Sequence, residues 1–307
     1  MRLVTRSDFD GLASGALLKS LGVIDSWTFV HPKDMQDGIV EVTENDVLAN
    51  VPFVEGCGMW FDHHATEIAR MGKNVSVAGD CRLAPSAARV IYDYYDGDKT
   101  LANFSELVEA TDKVDAGQLS IDEIQNPTGW VLLGFIMDPR TGLGRFRNFS
   151  ISNYDLMVDL LDRCAHMSID EILALPDVKE RTVLYAEQSE LFKKMLLEKS
   201  RLDGNVIVTD LRNCEIIFAG NRFMIYSLFP KGNVSIWMVD GRGKQNCPLA
   251  VGYSILNRTC KSNIGALMYT YGGGGHMMVG TCQVPYDDAD KVVSEMVERF
   301  KKDEAEL

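Results

Sequence analysis

Residues 2–22, RLVTRSDFDGLASGALLKSLG, decide the fold. A short β-type run, Arg2 to Thr5, gives way to two aspartates, Asp8 and Asp10. Leu12, Ala16, Leu17 and Leu21 then recur at helical spacing until Gly22 ends the pattern. A strand feeding directly into a helix is the opening of a βα unit, and the rest of the first half repeats the motif. SWTFVHP, DVLANV and GMWF read as further strands. LAPSAARVIYDYY reads as a helix begun by Pro85 and Ser86, and NFSELVEATDKVDAGQ as a helix capped by Ser105. Short strands alternating with helices predict a parallel sheet covered by helices on both faces. Residues 150–200 read as wholly helical, ending in the long amphipathic DVKERTVLYAEQSELFKKMLLEKS. Beyond RLDGN, the runs VIVTDL, EIIFAG, FMIYSLFP, VSIWMVD and LAVGYSIL read as strands, and DADKVVSEMVERF as a closing helix. The expected fold class is therefore α/β: a parallel-sheet N-terminal domain and helical connector over 1–200, then a smaller α/β domain over 201–307.

Bulk properties narrow the function. In 307 residues, 31 Lys and Arg against 44 Asp and Glu leave a formal charge of −13, which opposes a broad grip on long duplex nucleic acid. A small anion at one local site is compatible with it. No apolar stretch approaches the ~20 residues of a membrane span, and the N-terminus has no apolar signal core, so a cytoplasmic protein without a membrane partner is expected. The seven cysteines are scattered without metal-knuckle spacing and read as reduced thiols.

The chemistry gathers where strands end, which is where open parallel sheets bind ligands. Asp8 and Asp10 flank one residue, so both carboxylates can face one point. Asp62, His63 and His64 follow another strand, and two of only five histidines stand side by side there. Carboxylate with neutral imidazole is a ligand set for borderline divalent ions, and gathered carboxylates repel unless a cation sits among them.

DFDG, FDHHATE and YGGGGHMMVG, in that order, resemble the DHH phosphoesterases with their DHH-associated C-terminal domain, a group that includes RecJ-type nucleases, short-oligoribonucleases, cyclic-dinucleotide phosphodiesterases and exopolyphosphatase-like proteins. The resemblance covers nearly the whole chain. It implies a divalent cluster, usually Mn²⁺ with Mg²⁺ or Co²⁺ as substitutes, and a second domain gripping substrate across a cleft. It implies His63 as a metal ligand beside Asp8 and Asp10, His64 facing the phosphate, and Asp62 orienting the imidazole. The family's fourth motif falls on Asp112 or Asp115, with Asp115 favoured by its VDAGQL setting. The bridging position of the second motif falls on Asn50 or Asp46; these lie roughly 13 Å apart along a strand and cannot serve one point, and Asn50 is favoured.

Two departures stand out. The histidine that many members carry ahead of the two aspartates is replaced here by Thr5, Arg6 and Ser7, and Asn50 lacks a charge. One metal site is therefore short of ligands, and Arg6 is a candidate for direct contact with a phosphate. Gly272, Gly273, Gly274 and Gly275 read as an anion cradle of backbone N–H groups, with His276 and Arg258 as further substrate contacts and Tyr271 and Trp237 as candidates for base stacking. His31 and His166 receive no role. The reading is a metal-dependent phosphoesterase acting on a small phosphorylated substrate, a short oligonucleotide favoured over polyphosphate. Its rival is a non-catalytic nucleotide or polyphosphate sensor with a decayed metal site. A homodimer is left open.

Overall fold

The computed structural model describes residues 1–71 and 76–305, and the chain divides into two compact units. The first comprises Met1–Gln118 with Asn126–Tyr185, the second Leu119–Gln125 with Ala186–Leu307. The division falls inside the helix Pro176–Lys199.

The first unit is built on five parallel strands: β1 (Arg2–Thr5), β2 (Ser26–Phe29), β3 (Asp46–Ala49), β4 (Met59–Asp62) and β5 (Ala78–Cys81), in the spatial order β2-β1-β3-β4-β5. The chain reverses its direction of build between β1 and β3, so the crevice beyond their carboxyl ends is the topological switch point where such sheets bind ligands. Alternation along the strands splits the apolar residues between two faces. Val4, Leu48 and Trp60 pack with Met35, Val51 and Cys57 under the short helices Pro32–Gln36 and Ala65–Met71. On the opposite face lies the helix Phe9–Ser20. A Cβ at Gly15 would stand 2.3 Å from Leu161 and 3.1 Å from Leu3, so this glycine lets the helix lie close to both β1 and the helix Asn153–His166.

The second unit holds a six-stranded mixed sheet of β6 (Ser200–Asp203), β7 (Val206–Asp210), β8 (Val234–Met238), β9 (Asn246–Tyr253), β10 (Gly274–His276) and β11 (Val279–Pro285), ordered β10-β11-β9-β8-β7-β6. Within it β7 and β8 pair in parallel, and the other neighbours pair antiparallel. Its core joins Val208, Ile236, Leu249 and Val251 to Met268 of the helix Ile264–Thr270 and to Val293, Met296 and Phe300 of the closing helix Ala289–Ala305.

Three local readings are corrected. FMIYSLFP forms the helix Met224–Leu228, and EIIFAG lies outside any strand. Ser105 is the first helical residue of Ser105–Asp115 and caps nothing, because Phe104 takes the N-cap position. Among the described residues, no helix is long and apolar enough to cross a membrane.

Candidate metal centre

Asp8 leaves β1 in an extended conformation and caps the helix Phe9–Ser20, its Oδ1 accepting from the N–H of Gly11 at 3.0 Å. Glycine is required after Asp10 because a Cβ at position 11 would stand 2.0 Å from the carbonyl oxygen of Arg6. The turn thereby closes tightly enough to bring both carboxylates inward. Asp10 is 2% exposed, and its two oxygens accept from the first amides of the helix Ala87–Tyr94, Ala87 at 2.9 Å and Ala88 at 2.8 Å. Ser86 caps that helix, so its free N-terminal amides face the aspartate and favour its anion.

β4 delivers Asp62, His63 and His64. The Nδ1 of His63 lies 3.2 Å from the carbonyl oxygen of Ala84. A carbonyl only accepts, so Nδ1 carries the proton and Nε2 presents a lone pair. That Nε2 is buried, has no hydrogen-bond partner, and faces Asp115 Oδ2 at 3.3 Å and Asp10 Oδ2 at 3.7 Å. Burial holds the His63 pKa below its ordinary value, against the pull of Asp115, so a proton on Nε2 is disfavoured. A lone pair aimed at two carboxylates repels them, and a cation lying between them relieves the repulsion. Asp10, His63 and Asp115 offer ligand atoms within 4.8 Å of one another, as a single divalent ion needs.

The carboxylates register the same deficit of positive charge. Burial raises the pKa of Asp10 well above the usual range, and the charges of Asp115 and Asp8 push it further, against the amides of Ala88 and Ala87. Asp8 is raised by burial as well, with Arg6 opposing and Asp115 reinforcing. Arg6 reaches Asp8 through Nε at 3.1 Å.

Asn50 follows β3 at the switch point with a left-handed backbone, φ 56°, which Asn tolerates. Its Nδ2 donates to Asp8 Oδ1 at 3.1 Å, while its Oδ1 is buried without a partner. Asp46 begins the same strand and binds Arg2 through both oxygens, at 2.7 and 2.9 Å, away from the cluster. Asp112 is likewise engaged elsewhere, accepting from Ser86 Oγ at 2.7 Å and Arg89 Nε at 2.9 Å. The imidazole that Asp62 orients is that of His64, whose Nδ1 stands 2.7 Å from Asp62 Oδ1; His63 is oriented instead by Ala84. Burial opposes protonation of His64, but the hydrogen bond and charge of Asp62, with Asp115 and Asp10, outweigh it and raise the His64 pKa. The other Asp62 oxygen, Oδ2, is buried and unpaired.

In the second unit the glycine run departs from an open cradle. The amides of Gly272 and Gly273 donate to the carbonyls of Tyr269 and Met268, closing the helix Ile264–Thr270, and Gly274 to His276 form β10. Cβ atoms would stand 2.1 Å from Thr281 O at Gly273 and 2.3 Å from Val279 O at Gly275, whereas Gly274 has open space. Gly273 and Gly275 thus serve close strand approach. His276 and Arg258 are exposed, the latter donating to Ile255 O at 3.0 Å. Tyr271 is partly buried and donates to Glu295 at 3.1 Å, and Trp237 stacks on Phe192, so neither is a free platform for a base.

One feature near the centre had no sequence signal. Arg140, on the turn Pro139–Thr141, is bound by Asp138 and lies in the field of Asp115 and Asp8. An isolated DPR tripeptide identifies nothing, and only tertiary packing brings it here.

No family model matches the sequence, and no curated protein does. Among solved structures, the chain is 49% identical to PggH, a pGpG-specific phosphodiesterase from Vibrio cholerae, with a TM-score of 0.88 over 98% of this chain and 99% of that one. The DHH domain of a member of a ribosomal-protein family aligns at 13% identity and TM-score 0.58 over 98% of this chain and 86% of its own. RecJ from Thermus thermophilus, in complex with Mn²⁺, aligns at 12% identity and TM-score 0.56 over 97% of this chain and 52% of its own. The latter two share the fold alone. With a relative at 49% identity matched over nearly both whole lengths, the chain belongs to the DHH family of phosphoesterases.

Proposed function

We propose that the protein is a divalent-metal-dependent phosphodiesterase that cleaves a short 5′-phosphorylated dinucleotide of the pGpG kind. The observation that carries the reading is the buried Nε2 of His63, without a hydrogen-bond partner and aimed at Asp115 and Asp10, an arrangement that a bound divalent cation relieves. The 49% identity to a pGpG-specific phosphodiesterase supports the substrate class. Asp8, Asp10, His63 and Asp115 would hold the ion, with Asn50 Oδ1 as a neutral ligand. Mn²⁺ suits this mixed nitrogen and oxygen set, with Mg²⁺ or Co²⁺ as substitutes. Such an ion supplies Lewis-acid activation of water and of the phosphoryl group.

The protein's own groups do the rest. His64, fixed by Asp62 and with its pKa raised by that carboxylate against burial, donates to a phosphoryl oxygen, and Arg6 adds a guanidinium there. His276 and Arg258 are proposed to contact the far end of the substrate. Water adds to phosphorus, the P–O3′ bond breaks, the leaving oxygen takes a proton, and two nucleoside 5′-monophosphates result. The seven cysteines are free thiols, in keeping with a cytoplasmic location.

Chromatography of products from a panel of linear dinucleotides, cyclic dinucleotides, nucleoside bisphosphates and polyphosphate tests the proposal. Mononucleotide release from pGpG above all others is expected. Tight binding of pGpG without turnover under any divalent ion would instead make the protein a sensor.

A further inference from the structure

The helix Gly129–Met137 runs beside two elements of the carboxylate cluster. A Cβ at Gly134 would stand 2.9 Å from Phe9 and 3.2 Å from Val114, the neighbours in sequence of Asp8 and Asp115. One turn later Asp138 ends the helix, its N–H bonded to Gly134 O at 3.0 Å. Asp138 is 7% exposed, and its Oδ1 accepts both the backbone N–H and the Nε–H of Arg140, each at 2.8 Å. One carboxylate oxygen therefore fixes the arginine at both ends of its side chain. With Nε engaged, the two terminal nitrogens are left as a donor fork, and among the described residues they enter no hydrogen bond. Partial burial works against the guanidinium's charge, but Asp138, and then Asp115 and Asp8, hold its pKa above the ordinary value.

We propose that Arg140, aimed by Asp138, binds a phosphate oxygen of the substrate at the metal centre. The proposal rests on the phosphodiesterase reading and adds a contact to it. A cluster of Asp8, Asp10, Asp62 and Asp115 repels an incoming phosphodiester, and a planar fork matches phosphate better than a point charge does. Arg140 contacts substrate, and Asp138 is a positioning residue.

The test is calorimetric titration of inorganic phosphate into Mn²⁺-loaded wild-type, Arg140→Ala, Arg140→Lys, Asp138→Asn and Asp138→Asn/Arg140→Ala proteins, with Mn²⁺ affinity measured in parallel. Arg140→Ala should weaken phosphate binding at least about tenfold, with Mn²⁺ affinity held within about twofold, and Arg140→Lys should fall between. Asp138→Asn should weaken phosphate binding in the wild-type background and add nothing in Arg140→Ala. On pGpG, Arg140→Ala should lose about a hundredfold in kcat/KM, partly restored by free guanidinium. Unchanged phosphate affinity in a folded Arg140→Ala or Arg140→Lys protein, or a parallel loss of Mn²⁺ affinity, overturns the proposal. If wild type leaves pGpG intact while the phosphate arm behaves as expected, the substrate reading fails and the Arg140 contact stands.

Discussion

His63 Nε2 stands 3.3 Å from Asp115 Oδ2 and turns a lone pair toward it, because the proton of the ring is held by Ala84 O on the other side. His63→Ala removes the only nitrogen ligand of the Asp10, His63 and Asp115 group. It should abolish saturable Mn²⁺ binding in the micromolar range and lower turnover by about a thousandfold, while circular dichroism stays that of the wild type. Wild-type Mn²⁺ affinity in the variant would remove His63 from the centre.

Asp112 and Asp115 end one helix yet should respond oppositely to removal. Asp112→Ala strips Ser86 and Arg89 of their acceptor and should cost about 1–3 kcal/mol of stability with metal affinity retained. Asp115→Ala relieves the charge that raises Asp10. It should raise the metal-free Tm by about 2–4 °C while destroying metal binding. Thermal melts with chelator, paired with Mn²⁺ titrations, separate the two roles.

The pH dependence of the metal-free protein follows from Asp10. Its native pKa lies above the unfolded value of about 3.9, so its contribution to stability is complete below that pH and is lost as pH rises through the native pKa. Because general self-repulsion of an acidic chain acts in the same direction, the difference between wild type and Asp10→Ala isolates the group. With chelator, the stability of wild type relative to Asp10→Ala should fall as pH rises, and Mn²⁺ should return more stability at high pH than at low. A difference that grows with pH in chelator would contradict the assignment.

Asn50→Asp keeps a backbone conformation that Asp also tolerates, but replaces the Nδ2 donor, 3.1 Å from Asp8 Oδ1, by a second carboxylate oxygen. The metal-free variant should melt lower, and its Mn²⁺ isotherm should show a second ion bound more tightly than in wild type. An isotherm identical to wild type would mean that Asn50 does not face the ions.

The βα units were legible because Leu3 and Val4 end in aspartates and Leu12, Ala16 and Leu17 follow at helical spacing, so pattern and propensity agree. The convergence of DFDG and DHH at one point was legible as well, since both follow strands of one parallel sheet. The 224–228 segment was misread because Met, Ile and Tyr suit a strand by composition, whereas the fold places them on a buried helical turn. The setting of the glycine run was not legible: flexibility permits an anion cradle, but which amides stay free depends on the helix 264–270, which takes those of Gly272 and Gly273, and on β11, and local sequence reveals neither. Arg140 was invisible because its role depends on Gly134 packing against Phe9 and Val114, contacts remote in sequence.

Incubating chelator-treated protein with pGpG, restoring Mn²⁺ stepwise and following guanosine monophosphate by chromatography asks whether hydrolysis runs through an ion held at His63. No product is expected without the ion, product should rise with Mn²⁺ to two monophosphates per pGpG consumed, and His63→Ala should recover at no Mn²⁺ concentration. Full turnover in the chelated protein, or in His63→Ala, would contradict it.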